Sequence, residues 1–307
     1  FKYIDDKKEK VETTNKDEFI EYYKEFGFND AIDKDVESLS YLVEPVQGLW
    51  LLAMDSTMWY KNNLEEEPIV DGEFRQSTLK WIENVLIKAQ KEKKSVIGMM
   101  HHGILEHYKA NKKYYGEYVV NNNEEIAKMF SHYNMNFIFT GHFHSQDITT
   151  KKYKNGNFIY DIETGSLATH PCPYRIVNIT KDQKITVSSG LINEIPSIKD
   201  FQSHAHKYVI DGTIKMASKK LKKFGVSQKD IINIATQVAY AYSAHLQGDE
   251  NPPDVIVDYK GLDLWSKIVI TVQKDLIKGW WNDIFPKDNE LTVYLKNGLI
   301  CNCSAKE

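Results

Sequence analysis

Four histidines fall in two tight clusters, His101-His102 and His142-Phe143-His144, and each cluster closes an apolar run. Ser95-Val96-Ile97-Gly98-Met99-Met100 leads into the first and Asn136-Phe137-Ile138-Phe139-Thr140 into the second. Neutral imidazole is a common metal ligand. Loops at the carboxyl ends of strands in an open α/β sheet are where such groups gather over a rigid floor. The pattern therefore predicts a metal site. In extended backbone His142 and His144 would project to the same side, with Gly141 letting the chain turn at the strand end. Bridging two cations needs hard oxygen ligands as well, yet the sequence contains no Asp-x-His, no Gly-Asp-x-x-Asp and no Gly-Asn-His-Asp.

The elements that must hold these histidines follow from hydrophobic patterning. Asn15-Lys16-Asp17-Glu18 opens a helical stretch that Gly27 stops. Leu49 to Met54 is a continuous apolar run, as in a strand buried on both faces. A long helix follows Asp71-Gly72, with Leu79, Ile82, Leu86 and Ala89 in one stripe. A strand over 95–100, a helix over 124–133 and a strand over 136–140 complete a βαβαβ rhythm. Strands over 158–162, 174–179 and 184–189 come next, the last two joined by a turn at Lys181-Asp182-Gln183. Past Ile195-Pro196-Ser197 the period changes to helical. The expected helices cover 205–224, a second segment behind a capping box at Ser227 to Asp230, and a third with Trp265, Ile268, Val269, Val272, Leu276 and Trp280 on one stripe.

Met100-His101-His102-Gly103 followed by Thr140-Gly141-His142-Phe143-His144 resembles the last two of five motifs of the calcineurin-like metallophosphoesterases. Glu163-Thr164-Gly165-Ser166 and Pro171-Cys172-Pro173-Tyr174-Arg175 look like a bacterial subgroup of that family, and the resemblance runs from about residue 17 to about residue 190. It implies an α/β fold, an α-β-β-α sandwich, over residues 1–195, followed by a mostly helical domain over 200–307. It also implies hydrolysis of small-molecule phosphoesters at a two-metal centre by a metal-activated water. His101 and His142 would serve one cation and His144 the other, with zinc, iron or manganese suiting the ligand set. His102 would orient a ligand or contact phosphate. The family's first three motifs, with the oxygen ligands, are absent. Phe1 is not a translation start, so the chain is expected to begin just past the third motif and to lack the full centre. The alternative is a noncatalytic fragment or a binding protein on the same fold.

Composition limits the partners. A net charge of −4 argues against a dedicated nucleic-acid binder. Lysine clusters at 91–94 and 219–223 read as solvated helix faces. No apolar run is long enough to span a bilayer, and the compartment, cytoplasmic or secreted, is left open, as a signal region would precede Phe1. Cys172, Cys301 and Cys303 make no disulfide framework. The remaining polar candidates have plain readings. His107 is expected to be exposed in the loop over 103–118, and Asp147 and Glu163 to hold loop amides. His204 and His206, two apart on a helix, are surface residues, and His245 is a satisfied core histidine. Cys172 is structural.

Overall fold

The computed structural model describes residues 2–5, 7–63, 66–180, 184–295 and 298–300. The turn expected at 181–183 and the Cys301 and Cys303 pair lie outside them.

A hairpin of β1 (Lys2–Ile4) and β2 (Lys7–Glu9) precedes α1 (Lys16–Tyr22). α1 begins where the sequence opens a helical stretch, at a capping box: Asn15 accepts from the Glu18 amide and the Glu18 side chain accepts from the Asn15 amide. Next come β3 (Asp33–Lys34), β4 (Tyr41–Val46), β5 (Leu49–Met54), α2 (Gln76–Lys91), β6 (Ser95–Met100), α3 (Asn111–Tyr115), α4 (Asn123–His132), β7 (Phe137–Thr140), β8 (Asp147–Lys152) and β9 (Phe158–Glu163). A seven-stranded sheet runs β3-β4-β5-β6-β7-β9-β8, in which β5, β6, β7 and β9 are mutually parallel. The protein is thus a mixed α/β structure. Pairing of Met54 with Met100 and of Thr140 with Glu163 aligns the carboxyl ends of these strands along one edge.

The two faces of this sheet are buried differently. On one, Leu52, Ile82, Leu86, Phe130 and Ile138 pack β5, β6 and β7 against α2 and α4, all without solvent exposure. Each such side chain contributes roughly 1.5–3 kcal/mol. On the other face, Ile97, Phe137, Ile148, Phe158 and Tyr160 meet Ile185, Val187, Leu291 and Val293 of a second sheet. That sheet is β10 (Pro173–Ile179), β11 (Lys184–Leu191) and β12 (Glu290–Tyr294), all antiparallel. Its outer surface leaves Tyr174 40% and Ile176 51% exposed. The outer helical layer of the expected α-β-β-α sandwich is therefore absent among the described residues, and the layers are α-β-β.

The three helices α5 (Phe201–Lys223), α6 (Gln228–Gln247) and α7 (Leu264–Trp280) form where the apolar stripes place them. Ser227 occupies the N-cap position of α6 but makes no capping hydrogen bond with its side chain, whereas Asp263 caps α7 through the Ser266 amide at 2.8 Å. The expected division near residue 200 is crossed twice. The core of α6 and α7 includes Tyr108 and Phe143, and β12 leaves the helical region to pair with β11. Three helices bury too little apolar surface by themselves, so the region closes on the sheet it follows. Among the described residues no helix is long and apolar enough to cross a membrane.

Candidate metal centre

β6 and β7 deliver the two histidine clusters to the same edge. The Gly141 amide donates to the His101 carbonyl at 3.0 Å, locking the two strand ends together. His101 Nε2 then lies 2.6 Å from His142 Nδ1. Burial and the neighbouring imidazoles lower the pKa of His101 to about 4 and that of His142 to about 3. Both rings are therefore neutral at ordinary pH, the protonation state a metal ligand requires. His142 Nε2 is buried without a hydrogen-bond partner, and the Tyr118 ring covers His142 at 4.4 Å between centroids. An orphaned ring nitrogen of this kind fits a cation as ligand.

His144 departs from the expected geometry. β7 stops at Thr140 and His144 has φ of 68°, in the left-handed region, rather than extended backbone, yet its imidazole is near enough to lower the pKa of both His101 and His142. Among the described residues, the groups that bring three potential ligand atoms within 4.8 Å of one another include none of His101, His142 and His144. Nitrogen donors for a cation are present at His101 and His142; a compact three-histidine set is not.

His102 is 2% exposed and engages both of its ring nitrogens within the protein. Nδ1 is 2.8 Å from Ser56 Oγ and Nε2 is 3.0 Å from the Val70 carbonyl. A carbonyl only accepts, so Nε2 carries the proton and Ser56 donates to Nδ1. That leaves no nitrogen for a phosphate. The loop over 70–72 closes against the ring so tightly that a Cβ on Gly72 would lie 2.4 Å from His102 Cγ. A groove of about 560 Å³ opens beside His101, lined in part by Phe19, Tyr41, Asp55, Trp59 and Met99. The Asp55 carboxylate is already committed to the Thr57 hydroxyl at 2.6 Å and the Trp59 indole at 2.8 Å.

Behind this edge lies a buried charged network that patterning did not signal. His107 is 3% exposed rather than on the surface, because Asp147 Oδ1 lies 2.7 Å from its Nδ1 and Asp161 Oδ2 lies 3.2 Å from its Nε2. Burial opposes its charge, but the two carboxylates prevail and raise its pKa well above the ordinary histidine value. The loop amides are held by Asp161, not by Asp147 or Glu163. Asp161 accepts from the amides of Ile104 and Leu105 at 2.6 and 2.9 Å and from the Thr140 hydroxyl at 2.6 Å. A carboxylate inside the strand Phe158-Ile159-Tyr160-Asp161-Ile162-Glu163, every residue of which is buried, is the signal that could have found it. Glu163 Oε1 has no partner, and burial raises the Glu163 pKa to about 7. His204 and His206 fall on α5, Cys172 is buried and free with its thiol pKa pushed up by burial, and His245 is buried with Nδ1 on Glu250 at 2.9 Å.

No family model matches the chain, and no curated protein matches it. Among solved structures it is similar to a dimetal phosphatase from Danio rerio, with 14% identity, a TM-score of 0.39, and coverage of 50% of this chain. The chain spans 58% of that protein's length. A likeness of this size carries no argument about activity.

Proposed function

We propose that this chain belongs to a metal-dependent hydrolase of small-molecule phosphoesters, with His101, His142 and His144 contributing to the metal centre and His102 acting as a positioning residue. The observation that supports this best is the pair of neutral imidazoles, 2.6 Å apart, at the ends of two adjacent parallel strands. Two cations bound there, zinc, iron or manganese, would supply Lewis-acid polarisation of the ester and a water of lowered pKa. The protein's own part is preorganisation. Burial keeps the two imidazoles unprotonated, Ser56 and Val70 fix the His102 ring beside them, and Tyr118 shields His142 from solvent. The oxygen donors of a two-metal centre are not supplied by these histidines. The division into a phosphoesterase portion over 1–195 and a mostly helical portion over 200–307 is part of this reading.

A second reading, cation binding without turnover, draws on the lack of a compact three-ligand set among the three histidines. One experiment separates the two. Hydrolysis of p-nitrophenyl phosphate and bis(p-nitrophenyl) phosphate is measured with added zinc or manganese, for the 307-residue chain and for a chain extended at its N-terminus, each with and without His142→Ala. Hydrolysis by the extended chain that is lost in His142→Ala supports the hydrolase. Metal uptake without hydrolysis in every form supports binding alone.

A further inference from the structure

We infer that Asp147, His245 and Glu250 form a second, structural cation site that pins the carboxyl end of α6 to β8. His245 lies in the last turn of α6, Glu250 follows that helix by three residues, and Asp147 opens β8. His245 Nδ1 is 2.9 Å from Glu250 Oε1 and 3.8 Å from Asp147 Oδ2, and one ligand atom from each of the three lies within 4.8 Å of the others. Ligand bonds near 2 Å in tetrahedral geometry put ligand atoms about 3.3 Å apart, so the two measured separations bracket what a cation between these groups would impose. The site is distinct in residues from the His101 and His142 pair.

Charge and hydrogen bonding point the same way. The Glu250 side chain is 1% exposed and directed at His245, yet its Oε2 has no partner. A buried carboxylate oxygen left unpaired is costly. In the surrounding network four buried carboxyl groups, Asp147, Asp161, Glu163 and Glu250, face two imidazoles, His107 and His245. The Arg175 guanidinium lies close enough to Asp147 and Glu163 to attract them, but its hydrogen bonds end on the carbonyls of Glu163 and Asp288 and on the Ser189 hydroxyl. The far side of the His245 ring faces aromatic groups, Tyr108 at 5.0 Å and Phe143 at 5.1 Å between centroids. Its buried Nε2 has no hydrogen-bond partner there. Nδ1 donates to Glu250 Oε1 in the metal-free chain, and a divalent cation would take the place of that proton between His245 Nδ1, Glu250 and Asp147. One nitrogen and two carboxylates suit zinc or manganese. The neighbouring group of Asp249, Asp283 and Asp288 makes no such case, since Asp288 accepts the amides of Ile148 and Asp249 and Asp249 accepts that of Asp288.

The test uses the 307-residue chain stripped by chelator and then titrated with zinc. Bound metal is counted by elemental analysis, affinity is read by competition with a chromophoric chelator, and thermal unfolding is followed with and without zinc. The forms compared are wild type, Glu250→Gln, His245→Gln and the double variant His101→Ala/His142→Ala. The inference expects one zinc equivalent that survives in the double variant, raises the unfolding temperature of that variant, and is lost or weakened by at least about tenfold in Glu250→Gln. Glu250→Gln keeps the shape of the side chain and a partner for His245, so it remains informative should His245→Gln fail to fold. Equal zinc content and affinity in wild type and Glu250→Gln, loss of all zinc from the double variant, or no zinc bound by wild type would each overturn it.

Discussion

The 2.6 Å contact between His101 Nε2 and His142 Nδ1 ties the tautomers of the two rings together. Should His101 donate, His142 accepts at Nδ1 and carries its proton on Nε2, which would then be a buried N–H with no acceptor. Should His142 donate, its Nε2 is a bare lone pair, and both rings carry the proton on Nδ1. Orphaned buried N–H groups are rarer than under-satisfied acceptors, so the second arrangement is the stable one. It leaves His142 Nε2 as the free ligand nitrogen, and a cation on His101 Nε2 would have to displace the hydrogen bond between the rings.

Ring-nitrogen NMR of the metal-free chain should therefore show His101 and His142 both as Nδ1–H tautomers and His102 as Nε2–H. Ser56→Ala should leave His102 Nδ1 buried without a donor and cost about 1–3 kcal/mol, read by chemical denaturation. An unchanged midpoint would mean that water replaces the hydroxyl.

His107→Gln should destabilise by about 3–5 kcal/mol, because it leaves buried Asp147 and Asp161 without their cation. The sign with pH follows from the raised pKa. In the folded state the imidazole holds its proton more tightly than in the unfolded chain, so its stabilisation is complete below the unfolded value of 6.5 and is lost as pH rises through the higher folded value. The gap between wild type and variant should be largest at pH 6 and narrow in alkali; a gap that widens with pH would contradict the ion pair.

Glu163 behaves in the opposite sense to an ordinary surface carboxylate. Burial raises its pKa from 4.5 to about 7, so the folded state binds the extra proton and stability falls as pH climbs through that window. Glu163→Gln should gain stability relative to wild type at pH 8, on the order of 3 kcal/mol at most, and differ little at pH 4. Urea denaturation at both pH values checks this.

A fragment ending at residue 199 should fail to fold as an isolated domain. It would lose β12, exposing Ile185 and Val187 of β11, and would uncover Tyr108 and Phe143. Circular dichroism and proteolysis of the fragment test this; a stable, protease-resistant 1–199 would show that the first portion folds without the helices and β12.

Most of the framework was legible in the sequence, because buried parallel strands and amphipathic helices must carry continuous or periodic apolar residues. β5, β6, β7, α2 and α5 to α7 lie where those patterns place them. So does the arrival of His101 and His142 at one edge, since parallel neighbours end on the same side. Local pattern could not fix the backbone turn at His144, whose positive φ takes it off the strand. Nor could it show which distant carboxylates meet His107, since Asp147 and Asp161 reach it only through the pairing of β8 with β9. β12 was equally hidden: a short strand far along the chain is recognised by the edge of β11 that it completes. Periodicity records which side chains avoid water, while ion pairs, tautomers and sheet partners depend on long-range contacts that only the tertiary structure sets.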